Sequence, residues 1–272
     1  MASSYRDLHT PTREELKDAS PEQLRAYYAT TASINPNLSV ASIPPTANGV
    51  RERTAAKVGR MAGMAIADYQ GMLHGFLVGL VNAKRILEIG TFTGTSAIYF
   101  ATALKRNGVK GGVDETGHKP VVCLDISEEF AEIARSNFRE AGLEDYIEVI
   151  VGDARENLAK LSNITFDVAF LDADKVSYKY YYDTIIDKGL LNKSGLFIVD
   201  NTAFSSVTTY LDVPVPVAAD AKPLDVKFDL DFSHRETTVA LHEFNEYVRH
   251  DPRTEAVMLP LYTGITLLRF IN

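Results

Sequence analysis

Short apolar runs alternate with longer amphipathic stretches along most of the chain beyond residue 85. The runs at 85–89, 121–124, 146–151, 166–171 and 196–199 are rich in Val, Ile, Leu and Phe. Their length and mainly apolar character predict strands, and the unbroken apolar run 168–171 is what a strand buried on both faces of a parallel sheet looks like. The intervening segments predict helices over 97–104, from Ser127, over 155–161 and over 178–190. In the second of these, Ser127 is a cap, Phe130, Ile133, Ala134 and Phe138 share one face, and Gly142 is a stop. A helix over 237–248 precedes two last runs, 255–259 and 264–270, joined as a hairpin. The pattern predicts an α/β domain with a doubly wound, mostly parallel seven-stranded sheet, right-handed crossovers and an antiparallel C-terminal hairpin.

Upstream, residues 50–81 return to helix formers. Val58, Met61 and Ala65, then Met72, Leu73, Phe76, Leu77 and Leu80, fall at helical spacings and predict core or subunit contacts. Residues 1–49 read as an N-terminal extension to a domain of 50–272. It holds a short helix over 21–29, capped by Ser20, and an irregular stretch over 33–48 interrupted by Pro36, Pro44 and Pro45. Residues 107–119 read as an exposed inserted loop, and the proline-rich 212–223 as a lid or pocket wall.

Composition narrows the functional class. Hydrophobic residues at 46% and charged residues at 24% suit a globular domain, and no apolar stretch nears the roughly 20 residues that span a bilayer. The first residues have no apolar leader, so a cytoplasmic protein is expected. The net charge of −8, without basic clusters, argues against nucleic-acid or membrane partners and for a small-molecule substrate. Cys123 is the only cysteine and sits in an apolar run, as a buried strand residue would. His234, His242 and His250 lack an i, i+4 pair, so a solvated helix face is expected rather than zinc.

The chemistry gathers at the ends of the predicted strands. The run 166–171 delivers Asp172, Asp174 and Lys175, and the run 196–199 delivers Asp200 and Asn201. Two such ends could converge on one hard cation, although Asp at a strand end also caps helices and Asp-Asn also makes turns. After the first strand the chain reads Glu88-x-Gly90-x-x-x-Gly94, with Thr95 or Ser96 at the helix start. A dinucleotide site prefers Gly-x-Gly-x-x-Gly, and Glu88 would repel phosphate. It suits a cationic, hydroxyl-bearing ligand such as S-adenosylmethionine better than NAD. Asp125 ends the second strand, where such folds place an acid for ribose hydroxyls. The turn Gly152-Asp153-Ala154 offers a seat for an adenine ring. Tyr178, Tyr180, Tyr181 and Tyr182 are expected mainly to pack along their helix.

Taken in order, Asn82-Ala-Lys84, Leu87-Glu-Ile-Gly-Thr-Phe-Thr-Gly-Thr-Ser96, Asp125-Ile, Phe170-Leu-Asp-Ala-Asp-Lys175, Val199-Asp-Asn-Thr202, Asp251-Pro-Arg253 and Met258-Leu-Pro260 with Gly264-Ile-Thr266 form a joint pattern. It resembles the cation-dependent class I O-methyltransferases, the caffeoyl-CoA O-methyltransferase-like group related to catechol O-methyltransferase, over about residues 64–270. The resemblance implies a Rossmann-like class I methyltransferase fold, S-adenosylmethionine as cofactor, a divalent cation (usually Mg²⁺) and a homodimer. It places the metal on Asp172, Asp200 and Asn201, the methionine moiety near Glu88, Gly90 and Ser96, and the methionine amine on Asp174. It also places the ribose on Asp125 and the adenine by Ala154. Asp172 and Lys175 become the catalytic pair, with Lys175 accepting a proton or steadying a phenolate.

The expected substrate is a small catechol-like or vicinal-oxygen phenol. Methylation of a single hydroxyl or a carboxylate with little metal dependence, and a silent binding or assembly protein, are the alternatives. Residues 66–72 depart from the plant pattern Thr-Ser-x-Asp-Glu-Gly-Gln, and Phe204 and Ser205 replace a substrate-side tryptophan and asparagine. A CoA ester is therefore not expected.

Overall fold

The structure is a computed structural model that describes residues 43–203 and 232–271. The expected helix over 21–29, the segment 212–223, Phe204, Ser205 and His234 lie outside the described residues or side chains. Five parallel strands come first: β1 Ile86–Ile89, β2 Val121–Asp125, β3 Ile147–Val151, β4 Phe166–Leu171 and β5 Leu191–Asp200. Two more, β6 Thr254–Leu259 and β7 Ile265–Phe270, complete a sheet of order β3-β2-β1-β4-β5-β7-β6, in which β7 runs antiparallel to both neighbours. The helices are α1 Val50–Val58, α2 Asp68–Leu80, α3 Thr95–Arg106, α4 Glu128–Glu140, α5 Ala154–Lys160, α6 Tyr178–Asp187 and α7 Phe232–Arg249. The expected fold class holds.

Strand residues alternate between two apolar layers, as the two-residue period of a pleated strand requires. Leu87, Ile89, Ala169 and Leu171 pack with Leu158, Tyr182, Ile185, Leu241 and Phe244 on one face. Ile86, Val168 and Phe170 pack with Val78, Ile98, Phe100 and Phe138 on the other, and Ala47, ahead of residue 50, is buried in that same layer. Each fully buried Leu, Ile or Phe contributes about 1.5–3 kcal/mol by leaving water, so the double layer dominates stability. Cys123 is fully buried in the second layer. Ser127 caps α4 as expected, its Oγ accepting from the Phe130 amide at 3.2 Å.

Residues 50–81 do not form one helical block. α1 ends at Gly59, whose φ of 57° a side chain would resist, and a 3₁₀ stretch Gly59–Met64 precedes α2. On α2 the buried face is Gln70, Gly71, His74 and Val78, whereas Phe76 and Leu80 are 68% and 70% exposed. Gly71 explains this choice: a Cβ there would lie 2.3 Å from the Tyr99 ring, so α2 seats against α3 through its glycine. Of the apolar positions on α2, Met72, Leu73 and Leu77 pack partly buried against the core as expected, while Phe76 and Leu80 point outward in the single chain.

The topology fixes where a ligand can enter. β1 lies between β2 and β4, so successive crossovers leave it in opposite directions and open a crevice at the carboxyl ends of these strands. Leu171 of β4 pairs with Val199 of β5, so Asp172, just past β4, and Asp200, the last residue of β5, come side by side.

Candidate active site

A cavity of about 1130 Å³ occupies that crevice. Pockets for one small molecule are usually about 300–1,000 Å³, so there is room for a cofactor and an acceptor together. Gly90, Ser96, Asp125, Ala154, Asp172, Asp174, Lys175, Asp200 and Asn201 all line it. Of the expected site residues, Glu88 alone does not. It is fully buried, and its carboxylate accepts hydrogen bonds from Ser96 Oγ and, at 3.1 Å, from Cys123 Sγ. Burial pushes the Glu88 carboxyl up to about 7, against those two hydrogen bonds, which favour its ionised form. Glu88 thus stands behind the wall, bonded to Ser96, which is the group at the surface.

The wall made by the strand ends is held by its own backbone. Asp125 Oδ2 accepts the amides of Thr91 and Phe92 at 3.0 and 2.7 Å, and Oδ1 accepts that of Ser127 at 2.9 Å. These bonds hold Phe92 at a φ of 49°, a left-handed conformation rare for its type. Gly90, at φ 89°, passes so close to β4 that an added Cβ would lie 2.1 Å from the Asp172 carbonyl oxygen. The Thr95 hydroxyl is buried without a partner among the described residues, although Thr95 lines the cavity. An unpaired hydroxyl beside a glycine cradle suits a polar cofactor that brings its own donors and acceptors. Ala154 opens α5 behind Asp153, whose Oδ1 accepts the Arg155 amide at 2.8 Å, and Asp174 accepts from Tyr181 Oη at 2.8 Å.

The floor carries concentrated negative charge. Asp200 is 3% exposed, and the Asp172 side chain 20%. Burial raises the Asp200 carboxyl above its usual range, and the neighbouring Asp172 charge raises it further. Burial also raises Asp172, opposed by Lys175, whose Nζ donates to Asp172 Oδ1 at 2.7 Å. The same Nζ donates to Tyr178 Oη at 2.7 Å, which donates in turn to the Asp200 carbonyl at 3.1 Å. Burial, with Asp172, Asp200 and Asp174 nearby, keeps the Tyr178 phenol neutral by raising it well above its ordinary value.

Asn201 adopts a φ of 62°, and its Nδ2 donates to Thr263 Oγ1 at 2.7 Å. Its amide oxygen, the atom a hard cation takes, has no protein donor among the described residues. Two carboxylates and an amide oxygen fit Mg²⁺, and a cation would relieve the crowded charge. Among the described residues no three His, Cys, Asp or Glu side chains cluster suitably for a metal, so this set depends on the asparagine.

The opposite wall comes from α1, α2 and the β6–β7 turn, and sequence reading missed its key members. Gln70 Nε2 donates to Asp200 Oδ2 at 2.7 Å with both groups buried. Tyr69 and Tyr262 bring their rings to 4.4 Å at 36°, and Arg51 stands beside them in the lining. Gln70 falls where the family resemblance breaks down, so no motif pointed to it. Tyr178 packs in the core as expected, and its hydroxyl also bridges Lys175 and β5.

Residues 38–271 match the O-methyltransferase family. The chain belongs to this family. It is 32% identical over 225 residues to a caffeoyl-CoA O-methyltransferase of Populus kitakamiensis, covering 81% of this chain and 84% of the relative. The O-methyltransferase hkm8 of Aspergillus hancockii is 28% identical, covering 67% and 71%. Among solved structures, the SAH-bound methyltransferase PaMTH1 of Podospora anserina superposes with a TM-score of 0.69 at 25% identity, covering 97% and 99%. The protein is a SAM-dependent O-methyltransferase of the caffeoyl-CoA O-methyltransferase type. Among the described residues of this methyltransferase, no helix is long and apolar enough to cross a membrane.

Proposed function

We propose that this methyltransferase methylates one of two adjacent oxygens on a small aromatic acceptor, with a divalent cation, best matched by Mg²⁺ in view of its all-oxygen donors, held by Asp172, Asp200 and Asn201. The observation that carries this reading is the pairing of β4 with β5, which sets two largely buried carboxylates side by side at the cavity floor. S-adenosylmethionine supplies an electrophilic methyl group on a positively charged sulfur. A bound cation would favour ionisation of an acceptor hydroxyl whose unperturbed pKa is about 10.

The chain's own residues position and steady the reactants. Ser96, Asp125, Ala154 and Asp174 hold the cofactor along the strand-end wall, and Gly90 lets its backbone approach. Lys175 spends two of its three N–H groups on Asp172 and Tyr178. The third is left for the ionised acceptor oxygen, so Lys175 steadies that oxygen; taking its proton would require a neutral amine. As the new O–C bond forms and the S–C bond breaks, the tyrosine-lined wall keeps the two reactants aligned.

The test is methyl transfer by chelator-treated protein, followed by mass spectrometry with S-adenosylmethionine and a panel of diphenols and monophenols. Activity on vicinal diphenols that returns only with Mg²⁺ is expected. Full activity without metal would sink the cation-dependent version and favour transfer to a single hydroxyl or carboxylate.

The same reading includes a homodimer, supported by the outward Phe76 and Leu80 of α2. Sedimentation at micromolar concentration should give twice the chain mass of 30.0 kDa. It also includes a cytoplasmic location, supported by the single cysteine, buried and unpaired, and checked by cell fractionation.

A further inference from the structure

Arg51 lies in the first turn of α1 and lines the cavity beside Met64, Ile66 and Tyr69. Its Nη1 donates to the Ile66 carbonyl at 3.0 Å, which fixes the side chain while leaving most of its five N–H donors uncommitted by that bond. Two residues further on, Arg53 pairs with Glu140 at 2.9 Å, and Arg253 engages Asp183, Asp187 and Asp251. Among the described residues Arg51 has no such carboxylate. Its charge is close enough to the phenols of Tyr69 and Tyr99 to oppose the rise that burial causes in each. The wall therefore offers a held guanidinium next to two aromatic rings, while the floor carries carboxylates.

We propose that the acceptor bears a carboxylate on the part of its ring away from the two adjacent oxygens, and that Arg51 binds it. The inference rests on the vicinal-oxygen reading above. Along α2, Gln70 holds Asp200 and the preceding Tyr69 stands with Arg51, so the two ends of one flat molecule meet different chemistry. A planar guanidinium matches a carboxylate with two parallel hydrogen bonds, which adds direction as well as attraction. A carboxylate placed instead at the floor would sit among Asp172, Asp174 and Asp200 and compete with the acceptor oxygens for Lys175 and the proposed cation. Arg51 thus sets which way round the acceptor lies, and hence which of its two oxygens meets the methyl group.

The experiment compares 3,4-dihydroxybenzoate with its methyl ester, using wild type, Arg51→Met and Arg51→Lys. Wild type is expected to favour the acid by about tenfold or more in kcat/KM, mainly through KM, as a charge-assisted pair would give. Arg51→Met should bring that ratio to about one and move the two methylated isomers towards equal amounts, and Arg51→Lys should restore part of both. Equal losses on both substrates, with ratio and isomers unchanged, would overturn the proposal and leave Arg51 as a support for Ile66. Calorimetric titration of the SAH-saturated protein with both compounds separates this from the parent reading. If neither is methylated, the acceptor reading fails. A binding preference for the acid that Arg51→Met removes would still establish the anion site, and equal binding of acid and ester by wild type would overturn it.

Discussion

Across the cavity, one wall is backbone and the other is side chain. At the strand ends Asp125 ties three amides, and Gly90 lies against the Asp172 carbonyl, so the surface is set by the course of the main chain. Facing it, Arg51, Tyr69, Gln70 and Tyr262 present a surface made of side chains from two helices and a hairpin turn. The first kind of wall changes only if the fold changes. The second can be rewritten one residue at a time.

Substitutions should expose that difference, beginning with the floor that the walls share. Asp172→Ala should cost more than about 100-fold in Mg²⁺-dependent turnover, exceeding the 10–100-fold typical of groups that only orient metal ligands. Calorimetry should show S-adenosylmethionine binding nearly intact, whereas Asp174→Ala should chiefly weaken that binding. Identical defects in the two variants would show that the floor is not divided between cofactor and cation.

Gly90→Ala tests whether the strand-end wall is truly backbone. Its Cβ would meet the Asp172 oxygen at 2.1 Å with φ at 89°, so a loss of about 1–3 kcal/mol or more in urea unfolding is expected. Unchanged stability would mean that the two turns can separate freely. On the facing wall, Gln70→Leu should leave the fold in place and lower cation affinity by about 10–100-fold, read by Mn²⁺ titration without turnover. If affinity is unchanged, the 2.7 Å bond to Asp200 carries no functional weight.

The effect that is smallest at neutral pH belongs one turn along α2 from Gln70, at His74. Among the described residues both ring nitrogens are buried without partners, and the ring lies 4.9 Å from Phe170 and 5.7 Å from Phe100. Burial lowers its pKa to about 3, whereas an unfolded histidine titrates near 6.5. Below about 6.5 the unfolded chain takes up the proton first, so His74 contributes stability above that pH and loses it as pH falls towards about 3. The loss is about 1.4 kcal/mol per pH unit. His74→Leu should flatten the dependence of the urea midpoint over that range; an unchanged slope would assign acid sensitivity elsewhere.

The same contrast explains what could be read from residues alone. Each strand-end carboxylate follows an apolar run, so Asp125, Asp172 and Asp200 announced both their strand and its ligand-facing end. Asp174, Lys175 and Asn201 came with them as neighbours in the chain. Glu88 was located on its strand, but alternation sends its side chain into the layer with α3, behind Ser96. On α2 the apolar spacing selected Met72, Leu73 and Leu77, which pack against the core, together with the outward Phe76 and Leu80, whereas seating Gly71 against Tyr99 turned Gln70 and His74 inward. That choice depends on a close contact between two helices, which no periodicity records. Arg51 and Tyr262 are separated by most of the chain, and only the folded crevice makes them neighbours.

The contact between Gly90 and Asp172 has one further consequence. Because the two turns touch through main-chain atoms, the spacing proposed between methyl donor and acceptor is a dimension of the scaffold. New acceptors can be accommodated by exchanging residues across the crevice while the reaction distance is inherited unaltered, so diversification and reactivity are mechanically uncoupled.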